Sequence, residues 1–513
     1  MLYMNIKMLK SYIISNFKKL SYKDLIIFLI PFIVFIAYLY VFDPGILRFD
    51  TYDQLNQIAK WEFFNWHPFF HTFIEMICIK IFPNPISISI LQILTFSTMW
   101  MIICNYFRQD NNRKNFILQI IVTIIIALIP INAILSITLL KDTLFCYFML
   151  FSCFLIKVLL DKKGDVGYGF LLILCLSMAF IAQLRPNGIY VILLFLVILA
   201  IYLYMTNKSN KLFITIPALT IVFILLIASL NVIYDVQDNE KDAMYTKTIH
   251  MLADYDLNLT LDSNDKAKIH EIINESEIKD NYRIAGSDKI YFASNQTPYD
   301  NDKFSYLGMA FKYSMQNPVH FIKYIFESSP MTWDIVKKDN WVGSAYSTNA
   351  SQGYKNFYSE RHNNTPAADF DNVTQKHEHE GYYLALADFV YSIKNNTITN
   401  TLFNSPALYM YLSIILLGLI CYISKSKEII LIYLPNLFNI MSIFASTPIQ
   451  DVRYLYSNFL IFYLLVIILI GILTKRKEPD YVINGYDEIS QKDLERQIRE
   501  KILNEMEDEN KKL

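Results

Sequence analysis

The chain has 513 residues, 54% of them hydrophobic and only 18% charged, with a mean hydropathy of +0.29. Several apolar runs reach or exceed the roughly 18 to 20 residues that cross about 30 Å of hydrocarbon as a helix, which excludes a soluble globular protein and implies an all-α polytopic membrane protein. The formal net charge of −1 conceals a segregation of charge by loop, and nucleic acid is not expected as a partner.

The basic residues Lys7, Lys10, Lys18, Lys19 and Lys23 precede the first apolar run, 25–42. That run is as long as a full span and is followed by FDPGILRFD instead of a small-residue cleavage site, so it reads as an uncleaved first helix. Next comes RFDTYDQLNQIAKWEFFNWHPFFHT, Arg48 to Thr72. In a helix, Asp50 and Asp53 would share one face, as would His67 and His71. Leu55, Ile58, Trp61 and Phe64 recur every third residue and predict a helix lying along the membrane surface, apolar side among the headgroups. Trp61 and Trp66 suit that depth. A carboxylate held there can act as a general base toward a hydroxyl or ligate a divalent metal. Equally, Asp50 would serve as a helix N-cap and Asp53 as a partner for the helix dipole. His67 precedes Pro68, which biases it away from helix and toward capping the next one. A metal held by His67 and His71 would lack ligands of matching spacing elsewhere, and HEHE (377–380) is a weak metal signal in a polar loop.

Further spans are predicted at about 86–107, 116–137, 142–160, 168–184, 188–206, 212–234, 407–424, 429–446 and 453–474, which makes about ten transmembrane helices. Every second connection is basic: the N-terminal segment, then 108–114, 161–165, 207–211, 424–428 and 474–478. The positive-inside rule places these, and both termini, in the cytoplasm of a multi-pass cell-membrane protein. The stretch after span one, SITLLKD (136–142), LRPNG (184–188) and STPIQDVRY (446–454) then face outward. Arg48, Lys141, Arg185 and Arg453 are isolated cations on the side where basic residues are scarce. Any one could be a snorkelling anchor, but four on one face with two acids point to a site.

Residues 235–405 are too many for a loop without structure of its own. Apolar patterns at Tyr245–Leu252, Ile269–Ile278, Phe304–Met315 and Val319–Phe326 predict a mainly helical outer domain between spans seven and eight, with Pro318 starting a helix. The organisation is thus an N-terminal transmembrane module (1–234, first outer loop 43–85), an extracytoplasmic domain (235–405), C-terminal spans (406–475) and a charged cytoplasmic tail (476–513). In the tail, Leu494, Ile498 and Ile502 mark one short amphipathic helix. The six cysteines all fall in apolar segments and the outer domain has none, which excludes a disulfide framework there.

An acidic motif in the first outer loop, flanked by surface-lying helices, resembles the glycosyltransferase C superfamily of polytopic membrane enzymes. FDTYDQ, NWHPFFHT, LLKDTLF and LRPNG look like a bacterial group within it, and the resemblance covers about residues 1–234. It implies a transmembrane catalytic module that moves a sugar from a polyprenyl-phosphate donor to a cell-envelope glycan, glycolipid or protein acceptor, with inversion. Carried onto this chain, it implies that Asp50 is the catalytic acid, that Lys141 and Arg185 hold the phosphate, and that His67 belongs to the sugar or acceptor pocket. Asp50 is followed by Thr51 instead of a second acid, which leaves the base open between Asp50 and Asp53. Arg48, His71, Asp142, Asn187 and Arg453 complete the expected substrate-binding set. No cofactor is expected. A monophosphate donor without a resident metal is favoured because no second cluster of acids accompanies the motif, and a divalent metal is left open. The rival reading is a transporter or flippase of a lipid-linked or envelope precursor, which would favour charges and Gly/Pro breaks in mid-span. IPINA (129–133) is one such break.

The alternation of basic connections sets a first prediction. Reporter fusions after Asn56, Lys141, Asn187, Asn301 and Gln450 should report outside, and those after Asn111, Lys163, Asn210 and Lys425 inside. A cytoplasmic signal at Asn56 or Asn187 would remove the shared face.

Overall fold

Apolar backbone in lipid must satisfy its own hydrogen bonds, which leaves helices as the form these long runs can take. The computed structural model describes residues 20–109, 112–206, 211–237, 243–336, 380–446, 448 and 451–474. The described residues are helical throughout, apart from turns and isolated bridges. Helices α1 (Tyr22–Val41), α2 (Phe49–Lys60), α3 (Phe69–Ile81), α4 (Ile86–Phe107), α5 (Arg113–Leu128), α6 (Pro130–Ile137) and α7 (Lys141–Asp161) come first. They are followed by α8 (Tyr168–Leu184), α9 (Gly188–Met205) and α10 (Leu212–Ile233). An inserted helical domain separates these from α20 (Pro406–Ser424), α21 (Ile430–Ala445) and α22 (Ser457–Thr474).

Among the described residues, seven segments are long and apolar enough to cross a membrane: α1, α4, α7, α9, α10, α20 and Val452–Thr474. The bent pair α5–α6 makes up to eight. Helices α8 and α21, with 17 and 16 residues, are shorter. The chain is therefore an all-α, multi-pass membrane protein, and the ten stretches marked by hydropathy are helical. The stretch expected as one helix over 116–137 bends by 64° between Leu128 and Pro130. Proline has no N–H to continue the ladder. Asn132 Nδ2 takes up the Ile126 carbonyl at 2.8 Å, and the Tyr456 hydroxyl donates to Asn132 Oδ1 at 3.0 Å, so the bend is held by side chains in the core.

Helix α7 is the axis of the bundle. It is buried over nearly its whole length and packs against α4, α8, α21 and α22. Two glycines fix what surrounds its N-terminus. Gly45 has φ of +117°, and a Cβ there would lie 2.7 Å from the Ile137 carbonyl oxygen. This allows Ile46 N–H to donate to Ile137 O at 2.9 Å and Leu139 N–H to Ile46 O at 3.1 Å, a parallel bridge that sets the start of α2 beside the start of α7. At Gly188 a Cβ would come within 2.0 Å of the Ile181 carbonyl oxygen, so α9 starts pressed against the last turn of α8. The Arg185–Asn187 connection emerges at that contact.

The inserted domain begins with α11 (Ala243–Asn258), α12 (Ser263–Ile272) and α13 (Glu275–Asn281). It continues with α14 (Asp288–Ala293), α15 (Thr297–Asn301), α16 (Lys303–Gln316) and α17 (Pro318–Ser328). These helices share a core of their own built on Tyr245, Ile249, Leu252, Tyr255, Tyr299 and Tyr306. The helix expected over 269–278 is interrupted where Ile273 turns extended at φ −151°. Pro318 does start α17. Helices α18 (Glu380–Asn395) and α19 (Thr397–Asn404) lead into α20. The lysines at 7–19, the tail at 476–513 and residues 377–379 of HEHE lie outside the described residues.

At the end of the bundle that holds the start of α1, Arg108 after α4 grips Asp24 of α1 through both guanidinium nitrogens. Asn105 Nδ2 donates to the same carboxylate at 2.9 Å and Ser21 N–H at 2.6 Å. Both charged side chains are almost fully buried. Arg108→Ala leaves Asp24 buried and uncompensated, which typically costs about 3–5 kcal/mol. Thermal unfolding in detergent should show a large drop for Arg108→Ala and a smaller one for the double variant Asp24→Asn/Arg108→Ala. Equal drops would mean the pair does not act as a unit.

Candidate active site

The bridge at Ile46 brings α2 and α7 together N-terminus to N-terminus. Arg48 is the N-cap residue of α2, and its backbone N–H donates to Thr51 Oγ1 at 3.1 Å. Thr51 in turn donates to the Leu139 carbonyl at 2.6 Å. The capping role considered for Asp50 therefore falls to Thr51. Asp50 lies one residue inside the helix, in the first turn, where the dipole favours its charge.

Asp50 Oδ2 meets two cations, Arg453 Nη1 at 3.1 Å and Lys141 Nζ at 3.4 Å. Burial opposes its charge, but Arg453 and Lys141 outweigh burial and hold the carboxyl well below the usual range. Some 18% of the Asp50 side chain remains exposed, so the group is paired without being sealed.

Around this centre runs a chain of ion pairs. Arg453 Nε faces Asp451 Oδ2 at 3.3 Å and Asp142 Oδ2 at 3.7 Å, and its Nη2 donates to the Tyr454 hydroxyl at 3.1 Å. Arg48 Nη1 donates to Asp451 Oδ2 at 2.9 Å. Arg185 Nε lies 3.1 Å from Asp142 Oδ1. The Tyr454 ring sits beneath both guanidinium groups, 4.6 Å from Arg185 and 4.9 Å from Arg453, a cation–π arrangement. Three carboxylates (Asp50, Asp142, Asp451) thus meet four cations (Arg48, Lys141, Arg185, Arg453), and a fourth, Asp53, joins the cluster through His67.

The histidines take different places. Burial and the neighbouring Lys141 ammonium hold the His67 imidazole well below its usual range, so it is neutral. Lys141 Nζ lies 2.7 Å from Nδ1, which must then accept, leaving the N–H on Nε2 turned toward Asp53 Oδ2 at 3.6 Å. Gln57 Nε2 also donates to Asp53 at 2.9 Å. His67 thus stands between Asp53 and Lys141. His71 points away, into the contact between α2 and α3. Burial pushes it down to about 3, and its Nδ1 lies 3.2 Å from Gln54 Oε1 and 3.5 Å from Glu75 Oε1. The two histidines do not face a common ligand position. Among the described residues no three His, Cys, Asp or Glu side chains converge as a metal-binding group. Asn187 stands apart from the charges: its Nδ2 donates to Asn439 Oδ1 at 3.0 Å and Ser442 Oγ at 2.7 Å, tying the α8–α9 turn to α21.

Two features differ from the sequence reading. The face of α2 expected among headgroups is packed on protein instead: Leu55 is fully buried with Leu47, Tyr52, Cys78, Ile88 and Leu139. The helix ends at Lys60, with Trp61 in the left-handed region, and just beyond it Trp61, Phe64 and Trp66 are exposed. Second, Asp451, Tyr454 and Glu75 were not singled out. Asp451 was visible two residues before Arg453 in STPIQDVRY, and Glu75 stands four residues after His71, the spacing that joins side chains on a helix.

Compared with protein-family models, with curated proteins and with solved structures, the chain finds no match. The arrangement itself is suited to handling a developing negative charge: fixed cations in a low-dielectric site, with a carboxylate among them.

Glu75 is fully buried and burial raises its carboxyl well above the usual range, so it is held neutral. Its contribution is present at low pH and is lost as pH rises through the folded value, because only the unfolded state releases the proton freely. Glu75→Gln should remove this dependence: its melting temperature relative to the native chain should rise between pH 5 and pH 8. A difference independent of pH would show that Glu75 is ionised in the fold.

Proposed function

We propose that this protein is a membrane glycosyltransferase that moves a sugar from a polyprenyl-phosphate donor to a cell-envelope acceptor, with Asp50 as general base. The observation that carries the reading is the carboxylate of Asp50 held between Lys141 and Arg453 where four connections between spans converge. By the positive-inside rule that face is extracytoplasmic and both termini are cytoplasmic.

The acceptor oxygen attacks the anomeric carbon while its proton passes to Asp50 and the bond from that carbon to the phosphate oxygen breaks. The polyprenyl phosphate departs as an anion, and the anomeric centre inverts. Lys141 and Arg453, the cations nearest Asp50, are the ones placed for the departing phosphate, as point charge and fork respectively. Arg185, which the resemblance assigned to the phosphate, is engaged by Asp142 and Tyr454 and would support the site from behind. A carboxylate paired with two cations is a weak base. A donor phosphate that draws Lys141 and Arg453 to itself would free Asp50 and raise its basicity, so that binding of the first substrate prepares the base for the second. Asp53, bonded to Gln57 and turned toward His67, would orient that imidazole and through it Lys141.

The transporter or flippase reading draws on one observation, the break between α5 and α6. One experiment separates the readings: purified protein is given a polyprenyl-phosphosugar without any gradient. Consumption of donor supports the transferase. Asp50→Asn should lower transfer by roughly two orders of magnitude or more, on the usual scale for a lost base, with the fold intact. Asp53→Asn should do much less. Lys141→Ala and Arg453→Ala should each cost about ten- to a hundredfold in use of the donor, as for a lost charge-assisted contact. Near-normal transfer by Asp50→Asn would sink the assignment.

A further inference from the structure

The inserted domain turns part of its apolar surface outward. Along α16, Phe304 (87% exposed), Phe311 (68%) and Met315 recur at helical spacing, and α17 continues the face with Val319 (81%), Ile322 and Phe326. On the opposite side of α17 Tyr324 and Ser328 are buried, and the exposed pair Lys323 and Glu327 flanks the apolar face. That is the reverse of what water favours and the pattern of a helix pair lying in a membrane interface.

This face is continuous with the ends of two spans. The Phe326 ring packs 5.2 Å from that of Phe444 in the last turn of α21, and Ser329 Oγ donates to the Phe444 carbonyl at 3.1 Å. Trp333 Nε1 donates to the Phe326 carbonyl at 2.8 Å, and the Tyr411 hydroxyl of α20 to the Trp333 carbonyl at 2.9 Å, aromatic groups suited to that depth. Between α11, α16, α17 and the end of α21 lies a groove of about 720 Å³, lined by Met251, Phe311, Phe321, Ile325 and Phe444 among others. Among the described residues that line it, Lys247 is the one charged group. The ammonium donates to the Ser446 carbonyl at 3.0 Å and lies 5.1 Å from the centre of the Tyr324 ring. The apolar surroundings push it down to about 8, and an anion beside it would offset that penalty.

We propose that the inserted domain is seated in the adjoining membrane leaflet through α16 and α17, and that the groove takes an acyl chain of an anionic phospholipid whose phosphate meets Lys247. A hydrocarbon lining with a single cation, joined to the lipid-facing ends of α20 and α21, matches that chemistry. It does not match a polar peptide, which would need hydrogen-bonding groups along the groove. The seat holds the domain against the span ends whether or not sugar transfer is the reaction.

The test is photocrosslinking of the full chain with p-benzoylphenylalanine in place of Ile322, reconstituted in vesicles of equal parts phosphatidylglycerol and phosphatidylcholine. The expected adduct is phospholipid, with phosphatidylglycerol enriched severalfold. Lys247→Gln should equalise the two lipids without lowering total adduct, and Lys247→Arg should keep the preference, which separates loss of charge from loss of fold. A crosslinked second copy or other protein, or no lipid adduct, would overturn the seat. Equal capture of both lipids by the chain with Lys247 intact would overturn the phosphate contact. None of these readouts involves the sugar-transfer assay, so either proposal can fail alone.

Discussion

The pairing of Asp50 with Lys141 and Arg453 is the contact around which the rest of this molecule is arranged. It joins residues from three distant parts of the sequence, and none could reach the others without the elements behind them. Lys141 is placed by the N-terminus of the buried axis helix. Asp50 is placed by the short bridge at Ile46, which Gly45 makes sterically possible. Arg453 is placed by the turn before the last span and by the Tyr454 ring beneath it. Charges so far from bulk water need partners on several sides, and Asp142 and Asp451 supply them.

Much of this is legible in the sequence. Long apolar runs can only be helices in lipid, so hydropathy located ten stretches that are helical, to within a few residues. The isolation of Arg48, Lys141, Arg185 and Arg453 was equally readable, because each stands alone in a short connection between apolar runs and needs a reason. Their convergence into a single cluster agrees with the expectation that these connections share one end of the bundle.

What could not be read depends on tertiary contact. The spacing of Leu55 and Ile58 shows that one side of α2 is apolar, but not whether that side meets lipid or protein; here it meets α3, α4 and Leu139. The two histidines share a periodicity, yet Pro68 separates them, one in a turn and one in a helix, and they serve different neighbours. Asp451 gave no periodic signal, and its role emerges only because Arg48, some 400 positions away, bonds to it. Asn187, expected in the substrate-binding set, donates to Asn439 and Ser442 of α21, contacts that no spacing announces.

The even count of acids and cations has a kinetic consequence. A cluster whose charges cancel projects little field beyond a Debye length, about 8 Å at physiological ionic strength, and so does not draw an anionic ligand from afar. Such a cluster does not by itself supply steering through water, the device of enzymes with one-signed clefts. A lipid-borne phosphate would arrive by diffusion in the plane of the membrane and be recognised only at contact, when cations exchange one carboxylate for another anion. Encounter would then be governed by lipid density and bilayer fluidity, and would be nearly indifferent to salt.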